Sequence, residues 1–218
     1  GGFFGAVRTL QFMVTELLFS HRFARRTWLL SIVWVAICYG WYGLELWLPT
    51  ILKTTGVHMC WDPANEDRCL YQTSLAVAIA NVPGLVTAYY LVDNVGRNTL
   101  LAVSMLLAGA CAQALSLLHD NSAHQMMLAG ALFCAFNAVS IVGWNVIDIL
   151  STELFPTSLR GIAMGLLTSL GRVSAGVSQW QFAGAGLHSL QTASLCLCIG
   201  GLATFCLPDL TKLNLVDL

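Results

Sequence analysis

From Asn137 the chain reads Asn137-Ala138-Val139-Ser140-Ile141-Val142-Gly143-Trp144-Asn145-Val146-Ile147-Asp148. After Ile149-Leu150-Ser151-Thr152 comes Glu153-Leu154-Phe155-Pro156-Thr157-Ser158-Leu159-Arg160, and then an apolar run that carries Arg172 and Gln179. Two long hydrophobic segments thus flank one short polar turn, and each holds a charge, Asp148 or Arg172. Lipid-facing helices reject charge, so both side chains are expected on the lining of a central cavity, and the turn in the cytosol.

Helical periodicity sharpens this. Asn137, Ile141, Trp144 and Asp148 are spaced four, three and four, which puts them on one face at about 3.6 residues per turn. On the next segment Gly165, Thr168, Ser169, Arg172, Gly176 and Gln179 share a side. Asp148 lies about 8 Å from the inner boundary at Glu153, and Arg172 about 18 Å above Arg160. That offset of about 10 Å is long for a direct ion pair and leaves room for a water or a substrate to bridge the two; the alternative is two architectural charges joining helices. A mid-membrane arginine costs about 2.5–3.5 kcal/mol to insert, which an aqueous cavity or an acidic partner offsets, and the cavity role is the default reading.

Composition sets the class. The 218 residues are 57% hydrophobic and only 10% charged, with a mean hydropathy of +0.72. A soluble domain has about a quarter charged residues, so this chain has too few to make a soluble surface. The fold class is all-α: a polytopic membrane bundle of six transmembrane helices. Its main partner is the lipid bilayer. The net charge of −1, with basic residues scattered, implies no nucleic-acid partner.

Hydropathy divides the chain into a cytosolic or interfacial segment 1–26, a six-helix bundle 27–207 and a cytosolic tail 208–218. Phe3, Val7, Leu10, Val14 and Leu17 recur at helical spacing, which suits either an amphipathic helix on the membrane surface or the frayed end of a loop. The sequence starts at Gly1 without a signal peptide's order of features and reads as a fragment. The spans are expected at about 27–48, 73–92, 99–118, 125–150, 161–182 and 187–207, each near the ~20 residues a bilayer needs. Pro49 is expected to end the first, and residues 50–72 to form one long polar loop. Trp41 and Tyr42 sit deeper than Trp47, which suits an interfacial belt. Glu45 lies near the outer end, within reach of water. Gly161 and Gly165, Gly84 and Ala88, and Ala108 and Ala112 are small-residue pairs that signal helix packing.

The inner segments hold Arg8, Arg22, Arg25, Arg26, Arg97, Arg160 and Lys212, and the outer ones Lys53 and Arg68. This asymmetry places both ends in the cytosol of a plasma or vesicle membrane. The outer loop then contains Cys60 and Cys69, the one plausible disulfide pair. The other cysteines lie in apolar runs and are small hydrophobes. His58, His119, His124 and His188 fall outside with no metal-ligand spacing. No nucleophile–base constellation, CxxC pair, P-loop or HExxH occurs, so neither an enzyme nor a cofactor is expected.

Two turns carry a resemblance. Asp93-Asn94-Val95-Gly96-Arg97 resembles the Asp-x-x-Gly-Arg loop of the major facilitator superfamily, between the second and third spans of a six-helix half. Glu153-Leu154-Phe155-Pro156-Thr157 with Arg160 resembles the Glu-x-x-Pro-Thr-x-x-Arg loop of its sugar-porter and organic-cation branch. Within that branch Trp144-Asn145, Asp148, Leu150, Glu153-Leu154 and Pro156, with Arg25-Arg26, Tyr42-Gly43, Trp47 and Pro49, are similar to the synaptic vesicle glycoprotein two family and related carriers. The likeness spans nearly the whole chain, as the carboxyl-terminal half of a twelve-span protein.

The resemblance implies a central pocket lined by Trp41, Tyr42, Trp144, Asp148 and Arg172, to which the helical faces add Asn137. It implies an inner gate built from Asp93, Gly96, Arg97, Glu153, Pro156 and Arg160. Vertebrate members carry a large glycosylated luminal domain where only residues 50–72 stand here, with no Asn-x-Ser/Thr site. The tail Leu207-Pro208-Asp209-Leu210-Thr211-Lys212 matches the family's ending only loosely. The expected function is half of a secondary carrier that moves a small polar or charged organic solute by alternating access, paired with an amino-terminal six-helix half. The competing class is a non-transporting vesicle membrane protein with a regulatory or interaction role.

Overall fold

The computed structural model describes residues 3–21, 23–55, 66–118, 123–185 and 188–208. Among these, the chain forms seven helices and no strand: α1 (Phe3–Phe19), α2 (Ala24–Thr55), α3 (Glu66–Leu91), α4 (Arg97–Ser116), α5 (Ala123–Glu153), α6 (Thr157–Ala185) and α7 (His188–Thr204). Helices α2 to α5 each contain a stretch long and apolar enough to cross a membrane. With no water at that depth, only internally bonded backbone is stable there, which is why the apolar runs are helical.

Helix α2 is the hub. It packs on α6 and α7, while α4 joins α7 to α5, and α3 lies on α5. The core runs along these seams through Leu30, Ile37, Leu44, Leu101, Met105, Phe136, Ile147 and Leu167, all at most 2% exposed. Small residues set the helix spacing. A β-carbon at Gly84 of α3 would lie 2.0 Å from the Ala138 carbonyl of α5, and one at Gly171 of α6 would lie 2.6 Å from Cys38 Sγ of α2. Hydroxyls add bonds across helices, from Ser174 Oγ to the Val35 carbonyl and from Ser194 Oγ to the Gly109 carbonyl, both 2.8 Å. Ala108 and Ala112 are buried as packing residues. Gly161 and Gly165 differ from expectation: each faces open space, and a β-carbon added at either would meet nothing within 4 Å.

Two boundaries depart from the sequence reading. Pro49 does not end α2, which continues to Thr55. Proline removes one N–H from the ladder and frees the Glu45 carbonyl, a defect that membrane helices tolerate when neighbours compensate. Helix α3 begins at Glu66 rather than near residue 73, so the polar connection is shorter than residues 50–72. The amino-terminal segment is a helix, with Leu17 fully buried and Leu10, Phe12 and Phe19 exposed. Trp28 Nε1 donates to the Leu18 carbonyl at 3.2 Å and ties α1 to the start of α2.

Candidate functional site

The middle of the bundle brings four aromatic rings together. Trp41 and Tyr42 of α2 stand edge to face, with centroids 4.8 Å apart. Trp144 of α5 meets Trp41 at 5.6 Å, Tyr42 at 6.0 Å and Trp34 at 5.9 Å, each with planes nearly perpendicular. Perpendicular pairs set a ring's positive edge against its neighbour's negative face, worth about 0.5–1.5 kcal/mol each beyond burial. Trp34 Nε1 donates to Ser151 Oγ at 2.9 Å, which pins α2 to α5 further inward. The sequence reading missed Trp34, although its seven-residue spacing from Trp41 marks the same helical face.

Arg172 of α6 closes this wall. It donates to the Tyr42 hydroxyl, and its guanidinium carbon lies 5.0 Å from the Tyr42 ring centroid. Gln179 Nε2 donates to the Tyr42 carbonyl at 2.7 Å, so two α6 side chains grip one α2 residue. Arg172 is exposed on its helix, and among the described residues it has no carboxylate partner. The Trp144 indole nitrogen is buried and makes no hydrogen bond among the described residues. The cluster therefore offers aromatic surface, a cation that no described carboxylate balances, and an N–H donor that no described acceptor takes up.

Asp148 lies one turn inward of Trp144 and is exposed. It forms no ion pair with Arg172. Asn137 is fully buried, and its Nδ2 donates to the Phe133 carbonyl of its own helix at 3.3 Å. It sits about 10 Å from Trp144 along α5, apart from the aromatic cluster and within hydrogen-bonding range of the Glu45 carboxyl. Glu45 is partly exposed, and its Oε2 is buried with no hydrogen-bond partner among the described residues.

At the inner end the two polar turns meet. Gly96 adopts φ +87° and caps α4, a backbone that only glycine takes without strain. It delivers Arg97 onto Glu153 at the end of α5, 2.8 Å away, with Asp93 at 4.0 Å. Arg97 and Glu153 are 27% and 29% exposed, whereas Asp93 is 80% exposed, so the α4–α5 pair is the stronger. The Pro156 carbonyl accepts the first turn's N–H groups from Leu159 and Arg160, both at 3.0 Å, and starts α6. Arg160 is exposed and joins no ion pair among the described residues. The Cys60–Cys69 pairing lies outside the described residues.

Residues 40–185 match the sequence profile of a family described as sugar (and other) transporter. The niacin transporter of Acinetobacter baylyi is 30% identical over 72% of this chain and 33% of its own length. Human synaptic vesicle glycoprotein 2C is 30% identical over 71% of this chain and 21% of its own, and rat synaptic vesicle glycoprotein 2B is 31% identical over 71% and 22%. The chain spans a fifth to a third of the length of these curated relatives.

Proposed function

The chain belongs to the sugar (and other) transporter family of the major facilitator superfamily, and on that premise we propose that it is the carboxyl-terminal six-helix half of a secondary carrier. Helices α2 to α7 would be its spans, and both ends would lie in the cytosol. Its cargo would be a small organic solute that carries an aromatic ring and a carboxylate. The observation that supports this reading is the cluster of Trp41, Tyr42, Trp144 and Arg172. Rings stack on rings, a guanidinium without a carboxylate partner attracts an anion, and the Trp144 N–H, unpartnered among the described residues, supplies one directed donor. A relative named as a niacin transporter moves a molecule of that class. The pair Arg97–Glu153, with Asp93 beside it, would hold α4 to α5 when the inner side is closed.

The test uses the full-length protein in liposomes, with radiolabelled nicotinate as the probe. Uptake and binding are expected for the parent. Arg172→Ala should lose both, and Asp148→Asn should alter them. If neither substitution changes binding or flux, the cavity assignment is wrong. The likeness to the synaptic vesicle glycoproteins favours a second reading, a vesicle membrane protein that binds a ligand without moving it. Binding that depends on Arg172, with no flux in the parent, would select that reading.

A further inference from the structure

Helix α1 carries apolar side chains on two opposite faces. Leu17 is fully buried and Met13 packs against the core, so one face is taken up in joining α1 to the bundle. Arg8, Phe12, Thr15 and Phe19 are spaced four, three and four, which sets them in one line about half a turn from Leu17. Phe12 is 67% and Phe19 75% exposed, and with Thr15, Glu16 and Ser20 they border an open groove. A helix that faces water carries polar side chains on its outward face. Two phenyl rings on that face call for an apolar cover.

Depth and charge indicate what the cover is. Trp28 lies in the second turn of α2, at the start of the stretch Ala24–Trp47 that is long and apolar enough to cross a membrane. Its Nε1 donates to the Leu18 carbonyl of α1 at 3.2 Å. That bond holds the carboxyl end of α1 at the depth where hydrocarbon gives way to headgroups. In its first 44 residues the chain carries Arg8, Arg22, Arg25 and Arg26 against one carboxylate, Glu16. Arg8 and Arg25 are exposed and Arg26 is half-buried. None of these three joins an ion pair among the described residues. Arg97, by contrast, is balanced by Glu153 and Asp93. The positive excess is thus concentrated on the element whose outward rings lack a cover. Apolar rings flanked by guanidinium groups at this depth are complementary to a leaflet of anionic phospholipid.

We propose that α1 and the first turn of α2 form a docking surface for anionic phospholipid. Phe12 and Phe19 enter the boundary between headgroups and acyl chains, and Arg8, Arg25 and Arg26 bind the lipid phosphates. The assignment of this surface to the cytosolic leaflet rests on the orientation proposed above, whereas the binding itself does not.

Hydrogen–deuterium exchange read by mass spectrometry, on the full-length protein in nanodiscs, follows α1 locally and needs no solute. Nanodiscs of phosphatidylcholine alone are compared with nanodiscs of phosphatidylcholine and phosphatidylserine. Both faces of a nanodisc present the same lipid, so orientation does not enter. The amides of Phe3–Phe19 are expected to exchange several-fold more slowly when phosphatidylserine is present, since each arginine contributes about fivefold in affinity for an anionic surface. The difference should vanish in the triple variant Arg8→Gln, Arg25→Gln, Arg26→Gln and shrink at high salt. The double variant Phe12→Ser, Phe19→Ser should exchange faster in both lipids, with circular dichroism verifying the helical content of each variant. If the phenylalanine variant does not fold, the arginine variant decides. Equal exchange in the two lipids overturns the proposal, as does a difference that the arginine variant keeps. Protection that soluble glycerophosphoserine reproduces in phosphatidylcholine alone overturns it too, because a free headgroup would then suffice. Strong protection in both lipids that the phenylalanine variant leaves unchanged means that another part of the protein covers the rings, and also overturns it. Lipid-dependent protection in a protein that moves no solute upholds the surface and removes only the carrier reading.

Discussion

Two arginines divide this molecule. Arg97 sits at the inner end, with Glu153 at 2.8 Å and Asp93 at 4.0 Å, so its charge is balanced by neighbours on its own turn and the adjoining helix end. Arg172 sits within the bundle on α6 and packs against the Tyr42 ring and hydroxyl, with no carboxylate partner among the described residues. A paired guanidinium holds helices in place. A guanidinium without a carboxylate partner attracts an anion. On the function proposed above, the first would be architectural and the second would recognise the solute.

The contrast can be broken by substitution. Arg172→Ala should weaken binding of an aromatic carboxylate by roughly 1.5–3 kcal/mol, the usual worth of a hydrogen bond to a charged group, while the melting temperature changes little. Titration of the full-length protein with nicotinate measures it, and an unchanged affinity would sink the assignment. Trp144→Phe keeps an aromatic ring and deletes the N–H, so a loss of about 1 kcal/mol in affinity is expected; calorimetry on the same ligand resolves it. A double-mutant cycle with Arg97→Gln and Glu153→Gln should give a coupling of about 0.5–1 kcal/mol in stability, with no more than a small effect on ligand affinity. Arg160→Ala should fall within about 0.5 kcal/mol of the parent in stability, as exposed unpaired positions do. A larger effect there would show that the inner gate draws in α6.

The inner turns were legible because their geometry is local. Gly96 and Arg97 follow Asp93 within five residues, and the positive φ at Gly96 is written into the residue type. The mid-bundle site was legible in part. The periodicity of α5 placed Trp144 and Asp148 on one face, and the spacing on α6 selected Arg172 and Gln179. What periodicity cannot give is the partner helix: Arg172 engages Tyr42 rather than Asp148, because helices are fixed by close contacts such as Gly171 against Cys38. Asn137 shared the face of Trp144, yet about 10 Å of helix rise puts it with Glu45. The continuation of α2 past Pro49 was hidden for a different reason. A proline weakens one hydrogen bond, and in a membrane the surrounding ladder still favours helix.

Whether an amino-terminal half completes the carrier is a question of mass. An immunoblot of native membranes should show a band near twice the 23.6 kDa of this chain. A band at the chain's own mass would mean that transport requires two copies.

The seam between α2 and α6 also carries a built-in reporter. Cys38 is 2% exposed, and its sulfur lies where only a hydrogen atom of Gly171 fits. A maleimide can reach that thiol only when the two helices part. Its labelling rate therefore measures breathing inside this half of the molecule. If the six helices travel as one rigid body, Cys38 stays unmodified through every cycle, and if the half flexes along this seam, each opening leaves a covalent mark.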